Sequence, residues 1–171
     1  MNISSYLQRM RGGGARSPTP PLRAVIRPFV GAFLAIAAVA YLTSATAVPL
    51  VLGSFGASCV LLFGFPDNPF SQPRNVIGGH VLTSLTGLVF LTAFGHAWWS
   101  MALAVATAAA LMHLSRTLHP PAGSNPVIVM LSSPGWTFLL TPTLIGAAIL
   151  VAVAVLFNNT DARVRYPKHW L

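Results

Sequence analysis

Glutamate is absent from this sequence, and its acids are two aspartates, Asp67 and Asp161. Only 7% of the 171 residues are charged. A soluble domain, with about a quarter of its residues charged, could not be hydrated on so few. The shortage of acids also removes the paired carboxylates on which acid–base catalysis draws. No Gly-x-Ser-x-Gly elbow frames a serine nucleophile, so an enzyme is not expected. The single cysteine, Cys59, excludes an internal disulfide and a cysteine-cluster metal site. His113 and His119, six apart across a helix end, make a poor metal pair, and no cofactor is expected.

What is present is apolar: 54% of the residues are hydrophobic. Crossing hydrocarbon takes about 20 apolar residues in a helix. Four stretches meet that length, at 27–46, 76–95, 97–115 and 136–157. The shorter stretches 49–65 and 122–133 hold Pro49, Gly53, Gly56, Gly64 and Pro126, so they either cross as broken helices or re-enter. The expected fold is an all-α integral membrane bundle of four long transmembrane helices plus two short or broken helical segments. A disordered basic tail at 1–22 and a basic tail at 159–171 flank the transmembrane domain at 23–158. The apolar run from Phe29 to Tyr41 continues into further apolar sequence and is read as a retained helix.

Ten Lys and Arg against two acids give a formal charge of +8. Arg9, Arg11, Arg16, Arg23 and Arg27 precede the first span, and Arg163, Arg165 and Lys168 follow the last. Placed so, the charge marks topology and does not build a nucleic-acid face. The partner it implies is the lipid bilayer, with both termini on the cytoplasmic side of the cell membrane. With six crossings, Arg74 and Arg116 fall on that side as well. Trp98, Trp99, Trp136 and Trp170 stand at segment ends as interfacial anchors.

The chain has the pattern of an internal duplication. Gly56-Ala57-Ser58 followed by Pro73-Arg74-Asn75-Val76-Ile77-Gly78 recurs as Ala122-Gly123-Ser124 followed by Thr141-Pro142-Thr143-Leu144-Ile145-Gly146, about 66 to 68 residues on. Three segments per copy would invert the second copy relative to the first, an arrangement found in transporters. Chance similarity among small-residue apolar stretches is the competing explanation. Gly79, Thr83 and Gly87, and likewise Ala102, Ala106 and Ala110, recur every four residues and would let helices approach closely. Six short segments make a thin bundle, which homo-oligomerisation would thicken.

The run His119-Pro120-Pro121-Ala122-Gly123-Ser124-Asn125-Pro126 is the most informative. Its prolines break the helix, and irregular backbone at membrane depth is tolerated where it is buried in protein or lines a cavity. Gly123 and Ser124, and Ser54, Gly56 and Ser58 in the first half, offer backbone donors at helix starts, which suit an anion. Tight helix packing is the competing reading of the same residues. Arg74 and Arg116 bring positive potential, or else snorkel to lipid phosphate. His80 and Ser84 are one turn apart and share a helix face; His80 either carries a proton or binds a neighbouring helix. Asp67 and Arg74 are expected as a loop ion pair.

These blocks resemble the HPP family of integral membrane proteins. His119 to Pro126 is similar to the family's signature, and Gly53-Ser54-Phe55-Gly56-Ala57-Ser58 and Gln72-Pro73-Arg74-Asn75-Val76-Ile77-Gly78-Gly79-His80 are similar to its other blocks, the match spanning roughly residues 25–157. The family is usually described with four membrane spans. Some members, in cyanobacteria and chloroplasts, are associated with nitrite transport. The resemblance therefore implies a transporter or channel for a small inorganic anion, nitrite foremost. The candidate anion-binding residues are Ser54, Gly56, Ser58, Arg74, Asn75, His80, His119, Gly123, Ser124 and Asn125. The alternative is a non-transporting membrane scaffold or regulatory subunit, which a sealed interior would favour.

Overall fold

A computed structural model describes residues 2–11 and 13–170. The described residues form helices and connections, with no strand. The α-helices are α1 (Ile3–Met10), α2 (Leu22–Thr46), α3 (Phe55–Gly64), α4 (Pro73–Phe94), α5 (Trp98–Leu114), α6 (Asn125–Ser132) and α7 (Ile145–Asn158). Short 3₁₀ turns at Pro69–Ser71, Pro120–Ser124 and Trp136–Leu139 precede α4, α6 and α7. Proline sets two of these starts: Pro73 opens α4 and Pro126 lies in the first turn of α6, where a missing N–H costs nothing. Before α7 the chain runs through Leu140–Leu144, and Thr141, with φ −129° and ψ 122°, breaks the helix. Ala47 at φ 57° ends α2, and Gly95 at φ 66° ends α4.

Three helical stretches are long and apolar enough to cross a bilayer: Leu22–Thr46, Pro73–Phe94 and Trp136–Asn158. The fourth stretch expected to do so forms α5, whose 17 residues span about 25 Å at 1.5 Å per residue. The exterior is apolar. On α2 only Gly31, Ala35 and Val39 are buried, four residues apart, while Phe29, Phe33 and Tyr41 are more than 60% exposed. Such a face matches lipid, not water. The core behind it gathers Phe55, Leu62, Phe63, Val76, Leu88, Val129 and Leu150.

Every helix pairing of the first half has a counterpart in the second. α2 packs on α3 as α5 packs on α6; α4 packs on α6 as α7 packs on α3; α4 packs on α5 as α7 packs on α2. Several basic residues collect at one end of the bundle. Arg27 donates to the carbonyl of Asn158 at 2.7 Å and pairs with Asp161 at 3.2 Å, joining the start of α2 to the end of α7. Tyr166 donates to the Ser71 carbonyl at 2.8 Å, and Arg74 to the Ser115 carbonyl at 3.2 Å. The start of α4 and the end of α5 therefore share that end. At the far end, His96 meets the carbonyl of Met130 at 2.9 Å.

Several local expectations differ from what the structure holds. Asp67 pairs with Lys168 at 2.7 Å and not with Arg74. Gly79, Thr83 and Gly87 do face inward, but Ala102, Ala106 and Ala110 face outward; α5 buries Ser100, Ala104, Ala108 and Met112. An alanine-rich helix carries small residues every four positions in more than one phase, so spacing could not choose the buried one. Within the expected disordered tail stands α1, which buries nothing and exposes Ile3, Tyr6, Leu7 and Met10 along one stripe. The C-terminal segment folds back: Tyr166 is buried, and Lys168 N–H donates to the side chain of Gln72.

Candidate functional site

The breaks before α3 and before α6 bring polar side chains together inside the bundle. Ser54 precedes α3 and Ser58 lies one turn in; Asn125 opens α6, and His119 stands just before the Pro120–Ser124 turn. Between them runs α4 with His80 and Ser84, both buried, about 10 Å and about 16 Å from its start at 1.5 Å per residue. Gly79 makes that approach feasible: a Cβ there would stand 2.8 Å from the Cβ of His119 and 3.0 Å from the Thr117 carbonyl. Ser58, His80, Ser84, His119, Asn125 and Thr143 are 0% exposed, and Ser54 is 4% exposed.

The hydrogen bonds form one connected set. Ser58 Oγ lies 2.9 Å from His80 Nε2 and 2.8 Å from His119 Nε2. His119 Nδ1 lies 2.7 Å from the Phe70 carbonyl, which only accepts, so Nδ1 bears a proton. Asn125 Nδ2 lies 3.2 Å from the His80 carbonyl, 3.1 Å from His80 Nδ1 and 3.0 Å from Ser84 Oγ. The carbonyl fixes that atom as the amide nitrogen, so His80 Nδ1 is the bare nitrogen and Nε2 carries the proton. Asn125 Oδ1 accepts from Ser54 Oγ at 2.7 Å, and Thr143 donates to Ser84 at 3.1 Å. No side-chain nitrogen or oxygen in the set is left without a partner.

The ten candidate residues divide. Ser54, Ser58, His80, His119 and Asn125 meet in the cluster. Asn75 is buried beside it and donates to the Leu118 carbonyl at 2.9 Å. Arg74, Gly56 and Ser124 face outward, Ser124 closing onto the Pro121 carbonyl at 2.9 Å, and Gly123 is half-buried with open space around its Cα. The facing pair of Gly/Ser helix starts is therefore a contact, made by Ser54 and Asn125, with no open volume between them. Grooves open on the periphery; one, of about 640 Å³, is lined by Arg23, Arg27, Phe157, Asp161 and Arg163. The candidate set lacked Ser84 and Thr143. Ser84 was visible as the residue one turn after His80, and Thr143 as part of the repeated Thr-Pro-Thr block.

Apolar helices around a carboxylate-free polar interior define an integral membrane protein with its polar chemistry inside. The chain belongs to the HPP family: the family model described as "HPP, transmembrane region" matches residues 17–167. It is similar to two transmembrane proteins of Dictyostelium discoideum. One is 33% identical over 184 aligned positions, covering 99% of this chain and 65% of the relative. The other is 29% identical over 177 positions, covering 96% and 57%. The chain thus spans less than two thirds of the length of either relative. No solved structure matches it significantly.

Proposed function

We propose that this chain is a carrier or channel, not an enzyme, for a small inorganic anion such as nitrite, which passes the Ser58–His80–His119–Asn125 cluster. The observation that carries the reading is a buried polar cluster without a carboxylate, built where both interrupted helices meet. Hydroxyl, imidazole and amide N–H groups suit an anion, and with no acid nearby nothing repels it. Arg74, and Arg116 beside its partner Ser115, give the basic end a positive potential. In this reading α5 is a fourth long crossing, α3 and α6 are short halves of an inverted 3+3 repeat, and both termini are cytoplasmic in the cell membrane.

One observation favours the alternative of a non-transporting scaffold or regulatory subunit: the cluster is closed to solvent and satisfied within the chain. Uptake into proteoliposomes separates the two. Nitrite, nitrate, formate and bicarbonate are each offered well above the pH at which nitrous acid leaks through lipid, with empty vesicles as the blank. Saturable uptake of at least one anion, reduced in Ser58→Ala and His119→Gln protein, supports the anion path. Folded protein that carries none of them leaves the scaffold reading.

A further inference from the structure

We propose that His119 takes up one proton at Nε2, that the Ser58 hydroxyl turns to accommodate it, and that a small anion crosses together with that proton. The first two steps stand on geometry alone; the last rests on the anion-path reading above.

The argument is an accounting of donors and acceptors. With both imidazoles neutral, His80 Nε2–H donates to Ser58 Oγ, and the Ser58 hydroxyl donates to the bare Nε2 of His119. Ser58 has a second acceptor within reach, the carbonyl of Ser54 at 3.2 Å. If a proton binds His119 Nε2, that nitrogen becomes a donor and the O–H···Nε2 bond is lost. The hydroxyl then turns to the Ser54 carbonyl, while its oxygen accepts from both imidazoles with its two lone pairs. Every group remains paired in both states. One N–H bond forms, one hydrogen bond is exchanged for another, and no electrons move. His80 has no such second state, because its bare Nδ1 faces the Asn125 amide N–H, held there by the His80 carbonyl.

The imidazolium so formed has no counter-ion among the described residues. The groups facing the two imidazoles are Phe55 and Ser58 from α3, the Phe70 carbonyl, and Asn125 from α6. None is charged. Asp67 is held by Lys168, and Asp161 by Arg27 and Arg163. A buried charge without a partner is costly, and a small anion beside His119 supplies one. Proton and anion would then move as a neutral pair. Pro120, next to His119, lies on the protein surface, while His119 itself is buried.

The test uses full-length protein in liposomes with His96, His113 and His169 replaced by Gln and histidine labelled with ¹⁵N. On acidification, solid-state NMR should show one imidazolium, assigned to His119, appearing at higher pH when nitrate or nitrite is present. Ser58→Ala should lose that signal and Ser58→Thr should keep it. In parallel, a trapped pH dye should report one proton entering per nitrate or nitrite, with no dependence on membrane voltage. Two neutral imidazoles down to the pH of unfolding, or an imidazolium unaffected by Ser58→Ala, overturns the proton site. Anion uptake without protons overturns the coupling and leaves the anion path standing. An imidazolium with no uptake of either anion removes the anion path and the coupling together.

Discussion

Ser54 Oγ lies 2.7 Å from Asn125 Oδ1, so the starts of α3 and α6, 71 positions apart in sequence, are joined side chain to side chain. Asn125 also serves His80 and Ser84. Asn125→Ala therefore strands Ser54 Oγ and His80 Nδ1, Ser84 keeping its bond from Thr143, and should lower stability by about 1–3 kcal/mol, while Ser54→Ala should lower it by about 0.5–1.5 kcal/mol. The double variant should show a coupling of about 0.6 kcal/mol, the mean for hydrogen bonds between membrane helices. Reversible unfolding in mixed micelles measures all three. An Asn125→Ala protein as stable as the parent would mean that these contacts do not lock the two helix starts.

Glycine contacts predict effects of opposite sign. A Cβ on Gly146 would stand 2.6 Å from the carbonyl oxygen of Leu50, and one on Gly87 would stand 2.9 Å from the Cα of Pro126. Backbone atoms cannot swing aside, so alanine at either position should cost about 1–3 kcal/mol by overpacking. Gly56 lies inside α3 facing outward with no neighbour within 4 Å, so Gly56→Ala should stabilise by about 0.5–1 kcal/mol. Thermal unfolding in detergent reads both. Shifts of the same sign at Gly146 and Gly56 would overturn the packing of α7 on α3.

The same contacts explain how much was legible in the sequence. The apolar lengths and the Pro-rich break at His119–Pro126 were enough to expect a helical membrane bundle with its chemistry at the breaks. Which small residues point inward was not legible, because that depends on helix phase. Ser58 is one turn into a regular helix and faces His80; Ser124 matches it in the repeat but ends a 3₁₀ turn and bonds to the Pro121 carbonyl. Arg74 and Asn75 are neighbours in a first helical turn, yet one faces outward and the other is buried. The pairs Asp67–Lys168 and Ser71–Tyr166 were hidden for another reason: each joins the bundle to a tail that folds back across about a hundred positions, which no local pattern encodes.

Tyr166 predicts a pH dependence. Its phenol is buried, donates to the Ser71 carbonyl at 2.8 Å, and is pushed above its ordinary value of 10.0 by burial. A group raised in the folded state favours the folded, protonated form. The C-terminal segment should therefore be held fully below pH 10.0 and loosen as pH rises beyond it. Tyrosinate absorbance, taken as the difference between the parent and Tyr166→Phe, should emerge only above the usual phenol range. Tryptic cleavage at Arg165 and Lys168, measured at neutral pH, should be faster in Tyr166→Ala. A difference spectrum rising at an ordinary phenol pH would show that the segment is already free.

Arg27 predicts topology. Its guanidinium reaches both the Asn158 carbonyl and Asp161, whose carboxyl is held below the usual carboxylate range chiefly by its hydrogen bond from Arg163. The first turns of α2 and the end of α7 thus lie at one end of the bundle, and a chain that enters and leaves at one end crosses an even number of times. Arg74, Arg116 and Lys168 lie at the same end through Ser115 and Asp67, so the positive-inside rule predicts that this end faces the cytoplasm. His96, Met130 and Ser133 meet at the other end. In a Cys59→Ala background, Ser17→Cys and Thr160→Cys should react with an impermeant maleimide in inside-out vesicles and stay unlabelled in intact spheroplasts. Ser132→Cys should do the reverse. Labelling of Ser17→Cys and Thr160→Cys from opposite sides would break the even count. Labelling of both from outside would keep the count but reverse the chain, and the basic end would then need another explanation than topology.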